Sequence, residues 1–269
     1  MKKEIKLIVS DLDGTLIDGK LQATKQDLET LERLKRRGIP VVAATGRGFK
    51  SAKDVTSNMN ISEYLICFQG AAIFYKEEVI WHRSVGSCLP FLEMLRERKI
   101  GNVGVLLHHT DGVMDLSVLA PAYAESADYL SKYGGLIVSG DKLTAAASED
   151  LTKFVYFGKL DELLEVQSEW LKIGQNRHIV LSSDYTLDIT HEEAKKGIAA
   201  TRLAEMMGFS MDQVLAIGDN YNDQDLLQSA GIGVAMQPAP DEVKKEADYV
   251  TRSVEDSGFT EAIYKFVLD

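Results

Sequence analysis

The sequence predicts an α/β protein, in which a doubly wound, mostly parallel, Rossmann-like sheet carries an inserted, smaller α/β domain. Three observations support this prediction. The 269 residues exceed the usual size of one domain. Short apolar runs alternate with helical stretches at both ends of the chain, and this pattern changes between residues 84 and 187. Single helices between strands imply right-handed crossovers and therefore parallel pairing.

The two ends of the chain are expected to form one core domain, residues 1–83 and 188–269. The first apolar run is rich in β-branched residues, and the next segment places leucines at helical spacing before Gly38. In the N-terminal part we predict strand 5–10, helix 25–37, strand 39–43, helix 51–59, strand 64–68 and a hairpin through 73–74 and 79–81. In the C-terminal part we predict helix 196–207, strand 214–217, helix 223–229, strand 232–235, helix 241–246 and strand 249–250.

Residues 84–187 are expected to form the inserted domain. Its predicted strands are 103–107, 136–138, 154–157 and 178–181, and its predicted helices are 89–97, 120–132 and 160–171. We expect these helices to pack on one face of an antiparallel sheet, and the domain to close over the cleft of the core.

The composition excludes several classes of partner. A formal net charge of −11 argues against a broad nucleic-acid or anionic-membrane surface, since both need clustered Lys and Arg.

Cys67 and Cys88 lack the spacing of metal ligands, which favours reduced structural thiols. The N-terminal apolar run is cut short by acidic residues, and no run reaches transmembrane length. We therefore expect a cytoplasmic protein, either a monomer or a homodimer.

Two carboxylates follow the first predicted strand. Asp11 and Asp13, two residues apart, would repel each other if unpaired, which favours a hard cation or a shared proton between them. Gly14 permits a tight turn, and Thr15 follows it. An Asp-Gly-Thr sequence is also common in plain turns, so this reading stays open for the motif alone.

Three further groups of polar residues lie beside other predicted core elements. Thr45-Gly46-Arg47 follows the second strand and suits an oxyanion, although Thr45 is equally suited to cap a helix. Asp219 and Asp223 follow strand 214–217 with the spacing of metal ligands, or of a helix cap. Lys196 begins a helix, where it either reaches a phosphate or is solvated. Their meeting at one sheet edge is the main evidence for a site.

Together these motifs resemble the haloacid dehalogenase superfamily of phosphohydrolases. The most specific parts are the run Asp11-Leu12-Asp13-Gly14-Thr15 and the segment Gly218-Asp219 through Asn222-Asp223. The α/β insertion looks like the type IIB cap of the Cof-like branch. One departure from that branch's pattern is Gln69-Gly70-Ala71, where Asn-Gly-Ala is typical.

The resemblance implies a role for each motif residue. Asp11 would be the nucleophile and Asp13 the general acid and base. Magnesium would be held by the Asp11 carboxylate, the backbone carbonyl of Asp13, Asp219 and, through water, Asp223. The residues implied for phosphate or substrate binding are Thr45, Gly46, Arg47, Lys196 and Asn222.

The implied activity is hydrolysis of a small phosphorylated metabolite, with sugar phosphates ahead of nucleotides or cofactor phosphates. Two alternatives remain open. A phosphomutase or phosphotransferase would use the same Asp11 intermediate but deliver the phosphoryl group to a second alcohol. A non-catalytic protein on the same fold would bind a phosphorylated ligand. This alternative is disfavoured because Asp13, whose loss would give an inactive binder, is present together with the other motif residues.

Overall fold

The computed structural model describes residues 4–89, 104–109, 114–118, 136–137, 144–145, 147–173, 176–183 and 186–268. The chain divides into two compact units, Met1–Ile80 with Lys195–Asp269 and the intervening Trp81–Ala194. The strands are β1 Leu7–Ser10, β2 Val41–Ala44, β3 Tyr64–Cys67, β4 Ala72–Tyr75, β5 Glu78–His82, β6 Gly104–His109, β7 Met114–Val118, β8 Leu136–Ile137, β9 Leu151–Phe157, β10 Arg177–Ser183, β11 Thr186–His191, β12 Val214–Gly218, β13 Ile232–Ala235 and β14 Tyr249–Val250. The α-helices are α1 Lys25–Arg36, α2 Phe49–Thr56, α3 Leu160–Ile173, α4 Lys196–Met206, α5 Gln224–Ser229, α6 Asp241–Lys245 and α7 Gly258–Ile263.

The first sheet has eight strands in the order β14-β13-β12-β1-β2-β3-β4-β5. From β14 to β3 the pairing is parallel, and β3 with β4 forms an antiparallel hairpin. All four residues of β1 are buried, as a strand covered on both faces requires. Successive connections leave β1 toward β2 and return to β12 on its other side, so the sheet has a topological switch point at β1.

Helix α1 shows how the sequence sets a helix boundary. The hydroxyl of Thr24 accepts a hydrogen bond from the Asp27 backbone N–H at 3.1 Å and caps the first turn. Leu31 and Leu34 are buried, whereas Leu28, at the same helical spacing, is 38% exposed. Gly38 follows the last turn with φ of +70°, a conformation that glycine adopts without steric cost.

The Asp27 side chain joins α1 to the C-terminal helix α7. It is fully buried and accepts hydrogen bonds from the backbone N–H and the hydroxyl of Thr260, at 3.0 and 2.7 Å. The Thr24 hydroxyl donates to its other oxygen at 2.7 Å. Burial raises the pKa of Asp27 above its ordinary value, and the Thr24 and Thr260 hydrogen bonds only partly oppose this.

The second sheet has six strands in the order β10-β11-β9-β6-β7-β8. Its pairing is antiparallel except between β7 and β8. Helix α3 packs against it through Leu163, Val166 and Trp170, which join buried residues of β6, β9 and β11 in one core. The predicted helix 160–171 is therefore present, whereas the predicted helices 89–97 and 120–132 lie almost entirely outside the described residues.

The predicted fold class, a doubly wound α/β core with an inserted smaller α/β domain, is confirmed. Along the chain, the boundaries between the compact units fall after Ile80 and after Ala194, while the sequence pattern suggested boundaries after 83 and 187. The second boundary is later because β11, which the sequence did not predict, pairs with β9 and β10. In the described ranges, no helix combines the length and the apolar character needed to span a membrane.

Candidate active site

Asp11 directly follows β1, the central strand of the first sheet. Because β1, β2 and β12 are parallel, the loops that follow them lie at the same sheet edge. The Asp11 backbone N–H donates to Ile217 O at 2.9 Å, and the Thr45 N–H donates to Ile66 O at 2.9 Å. The motif loops therefore start as ordered continuations of the strands.

A buried ammonium group joins two of the predicted acidic residues. Lys196 Nζ donates to Asp11 Oδ1 at 2.5 Å and to Asp223 Oδ1 at 2.6 Å. The Lys196 and Asp223 side chains are fully buried, and that of Asp11 is 8% exposed. Burial disfavours the charged ammonium, but Asp11 and Asp223 outweigh it and raise the pKa of Lys196 above its ordinary value. The structure thus excludes a solvated Lys196.

The second oxygen of Asp223 organises the loop that carries Asp219. Asp223 Oδ2 accepts hydrogen bonds from the backbone N–H groups of Asp219 and Asn220, at 2.9 and 3.1 Å. A Cβ on Gly218 would lie 2.4 Å from the Asp223 Cβ, so only glycine allows this close approach. Asp223 therefore both orders the turn Tyr221–Asp223 and holds Lys196.

Three carboxylates form the cluster best suited to a cation among the described residues. One oxygen each from Asp11, Asp219 and Asp223 lies within 4.8 Å of the others. Burial and the Asp223 charge raise the pKa of Asp219, while burial, only partly offset by Lys196, raises the pKa of Asp11 well above its ordinary value. Crowded oxygen ligands of this kind fit Mg²⁺, which offsets their mutual repulsion.

The turn after Asp13 is shaped to bring Asp219 into this cluster. Thr15 Oγ1 donates to Asp219 Oδ1 at 3.1 Å. Gly14 has φ of +84°, and a Cβ at this position would lie 2.5 Å from Asp219 Oδ2. The alternative that residues 13–15 form only an ordinary turn is therefore insufficient, because this turn contacts Asp219, a candidate metal ligand.

Asp13 is paired with Arg47. The guanidinium donates from Nε to Asp13 Oδ2 at 2.7 Å and from a terminal nitrogen to Oδ1 at 2.5 Å, and its other terminal nitrogen donates to Ser51 Oγ at 3.0 Å. The Asp13 side chain is 49% exposed, whereas that of Arg47 is 11% exposed. The structure therefore brings Arg47, predicted as a substrate contact, onto the predicted general acid.

Thr45 and Gly46 lie in a turn that precedes α2 by several residues. Thr45 is buried, and its hydroxyl accepts a hydrogen bond from the Arg47 N–H at 3.2 Å. Helix α2 begins at Phe49 with Gly48 at its N-cap, so Thr45 does not cap a helix. The helix-cap alternative for Thr45 is therefore wrong, and its role in binding an oxyanion stays a prediction.

Asn222 contacts a residue that the sequence did not assign to the site. Its Nδ2 donates to Gln69 Oε1 at 2.8 Å, and Gln69 Nε2 lies so close to Gly46 that a Cβ there would be 2.5 Å away. The only signal in the sequence that pointed to Gln69 was that it stands where Asn is typical. The structure thus gathers all the predicted residues at one sheet edge and adds Gln69.

Comparison with known proteins is consistent with this arrangement. Residues 8–263 match the family described as haloacid dehalogenase-like hydrolase. The 5-amino-6-(5-phospho-D-ribitylamino)uracil phosphatase YcsE of Bacillus subtilis (strain 168) is 26% identical over 98% of this chain and 97% of its own length. The pyridoxal phosphate phosphatase YbhA of Escherichia coli (strain K12) is 27% identical over 98% of this chain and 99% of its own.

A solved structure supports the fold of the whole chain. The subclass IIB sugar phosphatase BT4131 superposes with a TM-score of 0.79 at 23% identity, over 98% of this chain and 100% of its own. At this identity the likeness concerns the fold alone. It extends across both compact units, which agrees with the predicted core and inserted domain.

Proposed function

Because the chain belongs to the haloacid dehalogenase-like hydrolase family and is a phosphatase, we propose that it hydrolyses small phosphomonoesters through an aspartyl-phosphate on Asp11. Sugar phosphates are the preferred substrate class. The observation that carries this proposal is the buried ion pair between the Asp11 carboxylate and the Lys196 ammonium, which supports a nucleophile beside a cation.

Asp11 must be ionised to attack phosphorus. Burial raises its pKa, and the Lys196 ammonium opposes that effect by favouring the carboxylate. A carboxylate oxygen forms a bond to phosphorus as the bond to the leaving alkoxide breaks, and water then hydrolyses the acyl phosphate. Mg²⁺, held by Asp11, Asp219, the Asp13 carbonyl and, through water, Asp223, would supply charge that offsets repulsion between carboxylate and phosphate.

Asp13 is assigned the proton transfers. It would protonate the leaving oxygen and then take a proton from the attacking water, a role that typically contributes about 10²–10⁴-fold. Its exposure and its position two residues after Asp11 suit a group that meets both the leaving group and water. Arg47 holds this carboxylate by two hydrogen bonds.

The non-bridging phosphate oxygens are assigned to Thr45, Gly46, Lys196 and Asn222. Lys196 supplies the positive charge, and the turn at Thr45 and Gly46 supplies hydroxyl and backbone N–H donors. The Asn222 side chain supplies an amide N–H. All four residues belong to the first compact unit.

We assign the first compact unit, Met1–Ile80 with Lys195–Asp269, to catalysis and the second, Trp81–Ala194, to selection of the substrate, where the sequence pattern had suggested residues 1–83 with 188–269 and residues 84–187. The buried Cys67 and Cys88 are free thiols, which suits a reducing compartment such as the cytoplasm. Burial raises the pKa of Cys88 to about 12, so this thiol is not a competing nucleophile.

A panel of phosphorylated metabolites and an aryl phosphate, each assayed with Mg²⁺ and without an added acceptor, tests this proposal. We expect release of inorganic phosphate and its loss on chelation. Release that requires a second alcohol would favour a phosphotransferase, and no turnover of any ester would favour a non-catalytic binding protein.

The nucleophile is tested separately with Asp11→Asn, which should abolish turnover and leave the far-UV circular dichroism spectrum unchanged. Wild-type protein quenched in acid during turnover should carry one phosphoryl group by intact mass, and Asp11→Asn should carry none. Phosphorylation of the Asn variant would remove Asp11 from this role.

A further inference from the structure

The turn Phe68–Gly70, which follows β3, contacts two parts of the candidate active site through its backbone. The Gln69 N–H donates to Thr45 O at 3.0 Å, and the Phe68 N–H donates to Arg47 O at 2.9 Å. A Cβ on Gly70 would lie 2.3 Å from the carbonyl oxygen of Lys195, which directly precedes Lys196. The turn therefore fixes the backbone of residues 45–47 and lies against the start of α4.

The backbone of this turn is in a conformation that its residues rarely adopt. Phe68 and Gln69 have φ of +53° and +60°, although neither is glycine, asparagine or aspartate. Such residues persist only where the surroundings fix them, and they cluster at functional sites. The observed hydrogen bonds and the close approach of Gly70 provide that constraint here.

The Gln69 side chain bridges two loops that the proposed function assigns to phosphate oxygens. Its Oε1 accepts from Asn222 Nδ2 at 2.8 Å, and its Nε2 lies against Gly46. Asn222 is exposed and Gln69 half-buried, so the amide pair lies at the solvent side of the site. Any side chain at position 46 would displace Gln69, which explains why the chain has glycine there.

We infer that Gln69 is a positioning residue of the phosphate site, an inference that rests on the proposed function. A carboxamide nitrogen carries two N–H donors. When Gln69 Oε1 accepts a hydrogen bond from one N–H of Asn222, the orientation of the Asn222 amide is fixed. Its second N–H is then directed to a substrate oxygen. Gln69 Nε2 lies against Gly46, so the same side chain is held between the two phosphate-binding loops. A dianionic phosphate gains from the oriented Asn222 N–H.

The test uses full-length Gln69→Met, which keeps the length of the side chain and removes both polar atoms. Inorganic phosphate serves as the probe, as a competitive inhibitor of aryl phosphate hydrolysis and as a directly titrated ligand, both with Mg²⁺. Loss of one or two hydrogen bonds should raise KM and the phosphate inhibition constant about fivefold to tenfold. We expect kcat to change less than about twofold.

Two further variants separate positioning from a general structural role. Gln228→Met is the matched control, because Gln228 Nε2 donates to Glu246 Oε2 at 2.8 Å on the exposed surface. It should leave both constants unchanged. Gln69→Glu keeps an acceptor for Asn222 but adds a negative charge, so it should weaken phosphate binding more than Gln69→Met does.

A double-mutant cycle with Asn222→Ala decides whether Gln69 acts through Asn222. In the Asn222→Ala background, Gln69→Met should add less than about twofold to the phosphate inhibition constant. Full additivity, or an unchanged constant in Gln69→Met, would overturn the inference while wild-type turnover still supports the proposed function. If the wild type shows no turnover but binds phosphate, and the Gln69→Met variant binds phosphate more weakly, only the proposed function would be overturned. No phosphate binding by wild type would overturn both.

Discussion

Replacing Lys196 with methionine removes the ammonium that separates two buried carboxylates and keeps most of the side-chain volume. Its Nζ lies 2.5 Å from Asp11 Oδ1 and 2.6 Å from Asp223 Oδ1. With an effective dielectric constant of about 20, each contact has a gross Coulomb energy of about 6.5 kcal/mol. The desolvation of three ionised groups offsets most of this energy. Breaking such a buried pair by removing one partner typically costs about 3–5 kcal/mol.

Calorimetry is the suitable assay, because it follows the unfolding of the whole unit, whereas Trp170 lies in the second compact unit and Trp81 lies in β5 at the edge of the first sheet. A loss of 3–5 kcal/mol should lower the melting temperature of the first unit by roughly 10 °C. Lowering the pH from about 7.5 to about 5.5 should recover part of the loss, because a carboxylate left without Lys196 binds a proton more readily.

Lys53→Met is the matched control for this experiment. Lys53 forms an ion pair with Glu77 in the same unit, but its side chain is 49% exposed. Such surface pairs contribute about 0–1 kcal/mol, so the melting temperature should change by only a few degrees. Equal small losses in both variants would refute the reasoning that Lys196 is held in a desolvated ion cluster.

Three further predictions concern the other contacts. Gly14→Ala places a Cβ against Asp219 at a positive φ, so the Mg²⁺ concentration for half-maximal activity should rise about tenfold or more in a titration; an unchanged value would separate this turn from the cation. Arg47→Lys loses the bidentate contact with Asp13, so kcat should fall about tenfold for alkyl phosphates and less for aryl phosphates, whose leaving groups need little protonation; equal losses would instead assign Arg47 to the phosphate. Asp27→Asn should cost more stability at about pH 4.5 than at about pH 7.5. The pKa of Asp27 is higher in the folded than in the unfolded protein, so its protonation stabilises the fold at low pH, and this contribution is lost as the pH rises through the folded-state pKa. Urea unfolding at both pH values measures the difference, and the opposite order would contradict the prediction.

The sheet edge that carries the site could be predicted because its causes are local. β1 is a run of four buried residues, and such runs separated by single helices imply parallel neighbours. Once β1, β2 and β12 are parallel, Asp11, Thr45 and Asp219 must follow adjacent strand ends. The convergence of the motifs therefore needed no knowledge of side-chain contacts.

The pairings within the site could not be predicted, because each depends on residues far apart in sequence. Lys196 at the start of α4 has the pattern of a solvated helix-terminal lysine, and only the approach of Asp11 and Asp223 buries it. The pairing of Arg47 with Asp13 is also invisible in either motif alone. In the second unit, β7 and β11 were missed, since polar residues interrupt their apolar runs and only pairing with neighbouring strands defines them.

The charges of the cluster explain why a cation, a proton and the nucleophile must be considered together. Asp11, Asp219 and Asp223 face a single ammonium, so the fully ionised cluster lacks two positive charges even before a phosphate dianion arrives. Burial makes this deficit costly, and the raised pKa values of Asp11 and Asp219 indicate that proton binding would relieve it. A protonated Asp11 cannot attack phosphorus. A divalent cation relieves the same deficit and leaves the carboxylate ionised, so proton and cation compete for the same oxygens and only the cation is compatible with the proposed chemistry.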